Sequence, residues 1–417
     1  MIVGGGVSGL TAADVMNSLG TSVTIVERRP VLGGILCDLR RQVPGDNCRF
    51  CTVAESADGC LRVAAKKLGS IETLTETGIT GVKKRRRGGF TVTLNNREGE
   101  EVDREFDSIL LATGVSELCS EEELKEFGYG GGKDVLTALE FERMCIAVND
   151  GRAKFVRSDG MPVRSVAFIG CVGSRNKSRR YCSATCCSYT LRQFNALKQA
   201  AEIENAKFFL MDLRLTDKRM WNYARNMLER GLDLVRCRLT KVERGEESVL
   251  LRYESDRDGI KTESFDLVVL MTAQVPDKEV QKKFSPLGVG FDENGFVVTK
   301  GGAATDVKGI FACGCATGPK SISESVIDSL SASADIAEYL SLKTEGTVVV
   351  FGGGVASLSS SIALSRLGLR VELVQNQSTK TRTLTDEEKK LWDRLARDVN
   401  RTGSITIHEE AKIESVR

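Results

Sequence analysis

With 417 residues, 41% of them hydrophobic, the chain is long enough for two or three domains with sizeable cores. A formal net charge of +2 excludes any general pull toward nucleic acid or an anionic membrane, and no apolar run approaches the roughly 18 residues of a transmembrane helix. Thirteen cysteines beside a single histidine argue against a disulfide scaffold and for metal or redox chemistry in a reducing compartment, so a cytoplasmic location is expected.

The chain opens on Ile2-Val3-Gly4-Gly5-Gly6-Val7-Ser8-Gly9, a strand running into a glycine loop and then a helix over Leu10–Leu19. Because the strand begins at once, no signal peptide is expected. A second strand, Ser22–Val26, ends at Glu27. This is G-x-G-x-x-G in the strand–turn–helix context that dinucleotide binding needs, with an acid about twenty positions on. Gly4 permits the tight turn, Gly6 lets the backbone approach a pyrophosphate, and Gly9 lets helix and strand pack closely. The helix N-terminus then faces the pyrophosphate, and Glu27 is placed to accept ribose hydroxyls. Gly33 and Gly34 follow and strengthen the reading.

Next comes Cys48-Arg-Phe-Cys51, with Cys37 before it and Cys60 after. Three readings stay open: ligands of a metal or cluster, a redox pair, or structural thiols. Lys83-Lys-Arg-Arg-Arg87 before Gly88-Gly89 reads as the solvated end of a hairpin, with docking of an acidic partner as the alternative. Ser108–Gly114 is an apolar strand ending in Ala112-Thr113-Gly114. Cys119, Cys145 and Cys237 are scattered and read as small buried groups.

A second α/β unit occupies roughly residues 160–265. Its strand Val166-Ala-Phe-Ile-Gly170 leads into Cys171-Val-Gly-Ser-Arg-Asn-Lys-Ser-Arg-Arg-Tyr-Cys182-Ser-Ala-Thr-Cys186-Cys187. Four thiolates gathered over so short a stretch match the ligand set of an iron–sulfur cluster, and with the only histidine at His408 a mixed Cys/His zinc site is excluded there. Cys182 and Cys186, four apart, are predicted to share one helix face. The strand runs into Gly170-Cys171-Val172-Gly173-Ser174 where a pyridine-nucleotide reductase would carry its second glycine motif, so this unit is not expected to bind NAD(P)H.

Another strand runs from Thr305 to Cys313-Gly314, followed by a small-residue helix over Ser321–Tyr339. With Ala112-Thr113-Gly114 it resembles the Ala-Thr-Gly and Gly-Asp motifs of two-dinucleotide-domain flavoproteins, except that Cys315 stands where that family has an acid for the flavin ribityl chain. Packing and backbone roles are expected for Cys313 and Cys315, with tuning of the flavin or a nearby cluster as the alternative. At the C-terminus, Val348–Ser357 through Val371–Gln375 echoes the opening of the chain, with Ser357 replacing Gly9 and Gln375 replacing Glu27. Ser404–Val416 then echoes Ser70–Val82. The reading is a second flavoprotein-like domain that starts near Thr347 and is cut short, in a chain that is itself a fragment. His408 falls in a strand of that repeat and is assigned no catalytic role; no Ser-His-Asp or Cys-His set exists, and hydrolysis is a poor candidate.

Cys171-Val-Gly-Ser-Arg with Tyr181-Cys-Ser-Ala-Thr-Cys-Cys187, Gly314-Cys-Ala-Thr-Gly-Pro-Lys320 and Asp46-Asn-Cys-Arg-Phe-Cys51 resemble the A subunit of heterodisulfide reductase and, equally, that of the quinone-interacting membrane-bound oxidoreductase. The resemblance covers most of residues 1–345. It implies an α/β two-dinucleotide-domain flavoprotein of thioredoxin-reductase type, with parallel sheets in three-layer packing and a truncated Rossmann-like repeat. The implied division is an FAD domain over 1–120 and 266–345, an inserted domain over 121–265 with the cysteine loop, and a partial repeat over 346–417. FAD would be held by Gly4, Gly6, Gly9, Glu27, Gly33, Gly34, Ala112, Thr113, Gly114, Gly314 and Cys315. One [4Fe–4S] cluster would be ligated by Cys171, Cys182, Cys186 and Cys187, with a second possible near Cys48 and Cys51. The family's larger members carry C-x-x-C-x-x-C-x-x-x-C ferredoxin modules; none occurs here, which favours the compact, quinone-linked type.

The expected function is therefore an FAD- and iron–sulfur-containing electron-transfer subunit. Its expected partners are other iron–sulfur subunits of a disulfide-reducing or quinone-linked complex, with neither nucleic acid nor direct membrane insertion. Arg175, Lys177, Arg179 and Arg180 either raise the cluster potential or form a docking rim. Two further hypotheses stand beside this one: an NAD(P)H-dependent disulfide reductase working through Cys48 and Cys51, and a non-catalytic scaffold subunit.

Overall fold

A computed structural model of the chain describes residues 1–39, 71–130, 132, 134–215, 218–245, 247–255, 259–342, 346–352, 354–375, 390, 393, 394, 397 and 404–408. They divide into two compact units, Met1–Asp14 with Val23–Ser329, and Val15–Ser22 with Leu330–Arg417.

The larger unit is built on a five-stranded parallel sheet and a seven-stranded mixed one. In the first, β1 (Ile2–Val3) leads through α1 (Val7–Ser18) to β2 (Thr24–Val26). The sheet is completed by β3 (Glu72–Leu74), β7 (Ile109–Leu111) and β17 (Ile310–Ala312) in the order β17-β7-β1-β2-β3. All four of its pairings are parallel. The strands read as unbroken apolar runs because a parallel sheet is covered on both faces; every residue of β2, β7 and β17 is buried. An antiparallel meander of β4 (Gly78–Lys84), β5 (Phe90–Asn95) and β6 (Glu101–Phe106) lies in the same region. Phe90, Val92 and Leu94 are buried and alternate with half-buried partners, the period of two expected for a strand with one face on a core. The basic run forms the β4–β5 hairpin end, with Lys83, Lys84, Arg86 and Arg87 exposed and Arg85 paired to Glu105 at 2.9 Å.

Two short strands, β8 (Ser116–Glu117) and β16 (Gln274–Val275), pair antiparallel on the connections between the sheets. The second sheet holds β9 (Val135–Thr137), β10 (Ser165–Val172), β11 (Asn205–Leu210), β12 (Leu232–Arg244), β13 (Val249–Ser255), β14 (Gly259–Phe265) and β15 (Leu267–Thr272). Their order is β14-β13-β12-β11-β10-β15-β9, in which β12, β13 and β14 pair antiparallel. Strand β15 is buried throughout and pairs in parallel with β10 and β9, so this sheet runs past the residue-265 boundary read from the sequence.

Alternate residues of β10 and β15 face opposite cores. Val166, Phe168, Leu267 and Val269 meet three helices, α2 (Ala138–Asn149), α3 (Cys186–Ala200) and α4 (Lys218–Glu229). Ala167, Ile169, Val268 and Leu270 meet the β12–β14 side through Leu251, Tyr253 and Phe265.

Helix α5 (Ile322–Tyr339) follows the last strand of the first sheet. In the smaller unit, β18 (Thr347–Phe351), α6 (Val355–Arg366), β19 (Arg370–Val374) and β20 (Ile405–His408) repeat the opening pattern of the chain as a parallel three-stranded sheet. The correspondence reaches single hydrogen bonds. Gly352 N–H donates to Val374 O at 2.9 Å as Gly4 N–H does to Val26 O at 2.8 Å. Gln375 N–H donates to His408 O as Glu27 N–H does to Leu74 O, both at 2.8 Å. The remainder of the echo, residues 409–416, lies outside the described residues. The His408 ring meets a carboxylate rather than a nucleophile: its Nε2 lies 2.6 Å from Glu372 Oε2 on an exposed edge.

Candidate functional site

The glycine loop is built by close backbone approach. A Cβ on Gly9 would lie 1.9 Å from Gly4 O, so only glycine lets α1 leave the sheet at this angle. Gly33 N–H donates to Gly5 O at 2.7 Å, and Gly34 sits against Gly6, which brings both predicted glycine pairs into one cradle. Glu27 is buried. Its Oε2 accepts Gly5 N–H and its Oε1 accepts Arg29 N–H, each at 2.8 Å. The carboxylate thus braces the loop and still borders a cleft lined by Gly4, Thr77, Thr113 and Asp277. Ala112 joins the cradle through its N–H, which donates to Val3 O at 2.9 Å, and Gly114 follows Thr113 with φ 67°.

The turn after β17 presses on the same place. Gly314 has φ 63°, and a Cβ there would lie 2.0 Å from Ser8 Oγ in the first turn of α1. No acid stands at Cys315, but Asp328, on α5, which the sequence did not single out, accepts Gly314 N–H at 2.7 Å. Lys320 Nζ donates to Gly314 O at 3.0 Å and lies 3.5 Å from Asp328. Cys315 Sγ approaches Lys320 O at 3.5 Å and Ser325 Oγ at 3.8 Å, while Cys313 is fully buried, its thiol pushed up to about 12.

The four loop cysteines come from three places. Cys171 lies next to the last residue of β10 in a left-handed conformation with φ 60°, Cys182 lies in the loop, and Cys186 and Cys187 are the first two residues of α3. This corrects the expectation that Cys182 and Cys186 share a helix face. The segment before α3 is held out of helix by β16 and its neighbourhood. Tyr181 OH donates to Gln274 O at 2.7 Å, Ser183 Oγ accepts Gln274 N–H at 3.1 Å, and Thr185 Oγ1 accepts from Gln274 Nε2 at 2.7 Å. Ala184 has φ 60°, which no helix allows.

None of the ten described cysteines is in a disulfide, and among the described residues no three His, Cys, Asp or Glu side chains are drawn into a metal shell. The thiol set nevertheless suits a thiolate-held group. Ala184 N–H donates to Cys182 Sγ at 3.4 Å, Arg214 N–H to Cys187 Sγ at 3.5 Å, and Arg175 Nη1 to Cys171 Sγ at 3.8 Å. Such donors stabilise sulfur in its anionic form. Cys186 is held well above the ordinary thiol range, first by its hydrogen bond to Cys187 and then by burial, and the same bond brings Cys187 down to about 7. Burial pushes Cys171 up. The positive end of α3 also favours thiolate at Cys186 and Cys187.

A cavity of about 170 Å³ lies between the two sets of residues. Cys315 and Lys320 border it on the side of the β17 turn, and Cys186, Thr185 and Tyr189 on the side of α3. Leu36, Val115 and Met271 supply apolar wall. Thr272 Oγ1 and Gln274 Oε1 are buried there without hydrogen-bond partners, the mark of a place made for a polar guest. Glu117, also lining it, accepts Leu139 N–H at 3.1 Å, and burial raises its carboxyl above the usual carboxylate range. Cys48, Cys51 and Cys60 lie outside the described residues; Cys37 is exposed and its thiol donates to Leu32 O at 3.0 Å.

Residues 1–170 match the family described as pyridine nucleotide-disulphide oxidoreductase. The chain is 25% identical over 419 residues to the A subunit of the ferredoxin/F(420)H(2)-dependent CoB-CoM heterodisulfide reductase of Methanosarcina acetivorans, covering 82% of this chain and 53% of that one. It is 26% identical to the second of the iron-sulfur A subunits of the CoB--CoM heterodisulfide reductase of Methanopyrus kandleri, covering 82% and 64%. A shorter match, 31% identical over 250 residues, joins it to the A subunit of the H(2):CoB-CoM heterodisulfide,ferredoxin reductase of Methanothermobacter thermautotrophicus, covering 58% and 38%. The chain thus spans 53% and 64% of the first two relatives.

In structure it is similar to T. acidophilum thioredoxin reductase, with TM-score 0.56, 16% identity and coverage of 82% and 97%. The A. fulgidus NAD-dependent persulfide reductase gives 0.53, 22%, 80% and 58%. These likenesses show the fold: two dinucleotide-type domains of the thioredoxin reductase kind. The chain is therefore similar in sequence to heterodisulfide reductase A subunits, and its first 170 residues match the pyridine nucleotide-disulphide oxidoreductase family.

Proposed function

We propose that this chain is the electron-transfer subunit of a heterodisulfide-reductase-like or quinone-interacting complex, carrying FAD and one [4Fe–4S] cluster. When bound, FAD would supply two-electron and a cubane cluster one-electron chemistry, so a subunit holding both could convert pair traffic into single-electron traffic. Gly4, Gly6 and Gly9 would admit the pyrophosphate, with Gly33, Gly34, Ala112, Thr113, Gly114, Gly314 and Cys315 around it and Glu27 toward the ribose. Cys171, Cys182, Cys186 and Cys187 would ligate the cluster. The domain division at 120/121 and 265/266, with a partial repeat over 346–417, belongs to the same reading. The sheet that continues through Leu267–Thr272 argues for moving the second boundary past that strand. Other iron–sulfur subunits are the proposed partners and the cytoplasm, or the cytoplasmic face of a membrane complex, the proposed location. Among the described residues no helix is long and apolar enough to cross a membrane.

The observation that carries the proposal is the cavity between the two residue sets. It is bordered by Cys186 on one side and Cys315 on the other, with orphaned Thr272 and Gln274 atoms in its wall. The test is iron, acid-labile sulfide and FAD per chain on protein purified without oxygen, beside Cys186→Ser. About four iron with one FAD, the iron lost in the variant, is the expected result. About eight iron falling to about four would add a second site and implicate Cys48 and Cys51. Yellow protein that stays iron-free after reconstitution would sink the cluster assignment.

A further inference from the structure

The second sheet contains a re-used nucleotide position. In the first sheet the acid that follows β2, Glu27, turns back to the glycine loop and accepts Gly5 N–H. In the second, Asp212 follows β11 in the equivalent place of a strand–turn–helix–strand unit, where a ribose-binding acid stands in nucleotide-binding sheets. It faces the cysteine loop and is occupied by Arg175. The guanidinium holds both Asp212 oxygens, Nη2 at 3.3 Å, and places Nη1 3.8 Å from Cys171 Sγ.

The same short segment reaches a second sulfur. Asp212 accepts from Arg214 Nε at 3.4 Å, Arg214 N–H donates to Cys187 Sγ at 3.5 Å, and Cys187 Sγ lies 4.0 Å from Asp212 O. Of the four cations in the loop, Arg175 alone meets a sulfur. Arg179 is engaged by Glu123 at 2.6 Å, and Lys177 and Arg180 are exposed. Arg175 is also locked in place, with φ 55° and its N–H donating to Tyr181 O at 3.0 Å.

We propose that Arg175 and Asp212 form an electrostatic clasp that sets the reduction potential of the cluster held by Cys171, Cys182, Cys186 and Cys187. The inference rests on the cluster reading above. Reduction adds one negative charge to the sulfur set, which the guanidinium stabilises and the carboxylate opposes. The pair is half-exposed, with side-chain accessibilities of 20% and 37%, so it moderates the potential rather than neutralising the site. Both residues are positioning residues: neither ligates, and each acts through Cys171 or Cys187.

The test compares Arg175→Gln, Arg175→Lys and Asp212→Asn in the full chain purified without oxygen. Iron and sulfide content is read first, then the cluster midpoint by redox titration followed in the EPR and visible spectra. Expected are parental iron in all three, a more negative midpoint in Arg175→Gln, a more positive one in Asp212→Asn, and Arg175→Lys between parent and Arg175→Gln. The opposite signs matter, because both substitutions break the same ion pair and a purely structural pair would move both alike. Shifts of one sign, or none, with iron retained overturn the clasp and leave the cluster reading standing. Loss of iron in both Arg175→Gln and Asp212→Asn assigns the pair to loop folding and overturns it as well. A parent that takes up no iron on reconstitution overturns clasp and cluster together.

Discussion

Gly6 and Gly9 sit three residues apart in one motif, yet the structure gives them different duties. A Cβ on Gly6 would find only Gly34 Cα, at 3.8 Å, which is ordinary contact, whereas one on Gly9 would lie 1.9 Å from Gly4 O. Gly6→Ala is therefore expected to fold as the parent does, within about 0.5 kcal/mol, while the added methyl would stand where a pyrophosphate would approach in the proposed FAD site. Gly9→Ala instead forces α1 from β1, an overpacking that costs about 1–3 kcal/mol. Flavin absorbance per chain and a urea midpoint separate the two: Gly6→Ala should lose flavin alone, Gly9→Ala both. Flavin retained at parental stoichiometry in Gly6→Ala would remove the loop from the binding site. The close packing at Gly9 was legible in the motif, because spacing encodes it. The contacts of Asp328 and Asp212 were not, since each acid meets its partner across a fold that no local pattern announces.

Among the elements, the helix pair α2–α3 holds the cysteine helix against the sheet through one buried charge pair. Both guanidinium nitrogens of Arg192 engage Glu142, Nη1 at 2.9 Å, with side-chain accessibilities of 5% and 4%. The Arg192 guanidinium also lies over the Tyr189 ring, 4.8 Å from its centroid. Removing one partner leaves a buried charge without compensation, so Glu142→Ala should lower stability by about 3–5 kcal/mol, while an apolar pair such as Glu142→Leu with Arg192→Met should be near neutral. Denaturant midpoints of the three proteins check this, and equal losses in single and double variants would show that the pair stabilises by packing alone. Element identity was readable from apolar runs such as Val166–Ile169. The start of α3 was not: the Cys182–Cys186 spacing fits a helix, but hydrogen bonds of Tyr181 and Ser183 to Gln274, distant in sequence, keep that stretch open. Tertiary contact overrode a local period.

For the molecule as a whole, the two sheets of the larger unit share one architecture but not one ligand chemistry. The first keeps a glycine cradle with a braced acid. The second has a left-handed cysteine in place of its loop glycine, an acid already occupied by Arg175, and a Phe208 ring 3.0 Å from where a Gly170 Cβ would stand. A dinucleotide laid along β10 would have to displace the ion pair and enter between thiols. The smaller unit repeats the backbone of the first sheet but puts Ser357 at the close-packing position and buries Gln375 with its Nε2 unpartnered. It thereby loses both the close approach and the carboxylate. Hence neither NADPH nor NADH should bleach the flavin of anaerobic protein within the time that a low-potential one-electron donor does so fully. Stopped mixing followed at the flavin absorbance band decides it. Rapid bleaching by NADPH would mean that the cysteine loop yields to a nucleotide after all, and would return Cys48 and Cys51 to the centre of the chemistry. Slow or absent bleaching, with a fast response to the one-electron donor, is what an electron path entering through the thiol-held site requires.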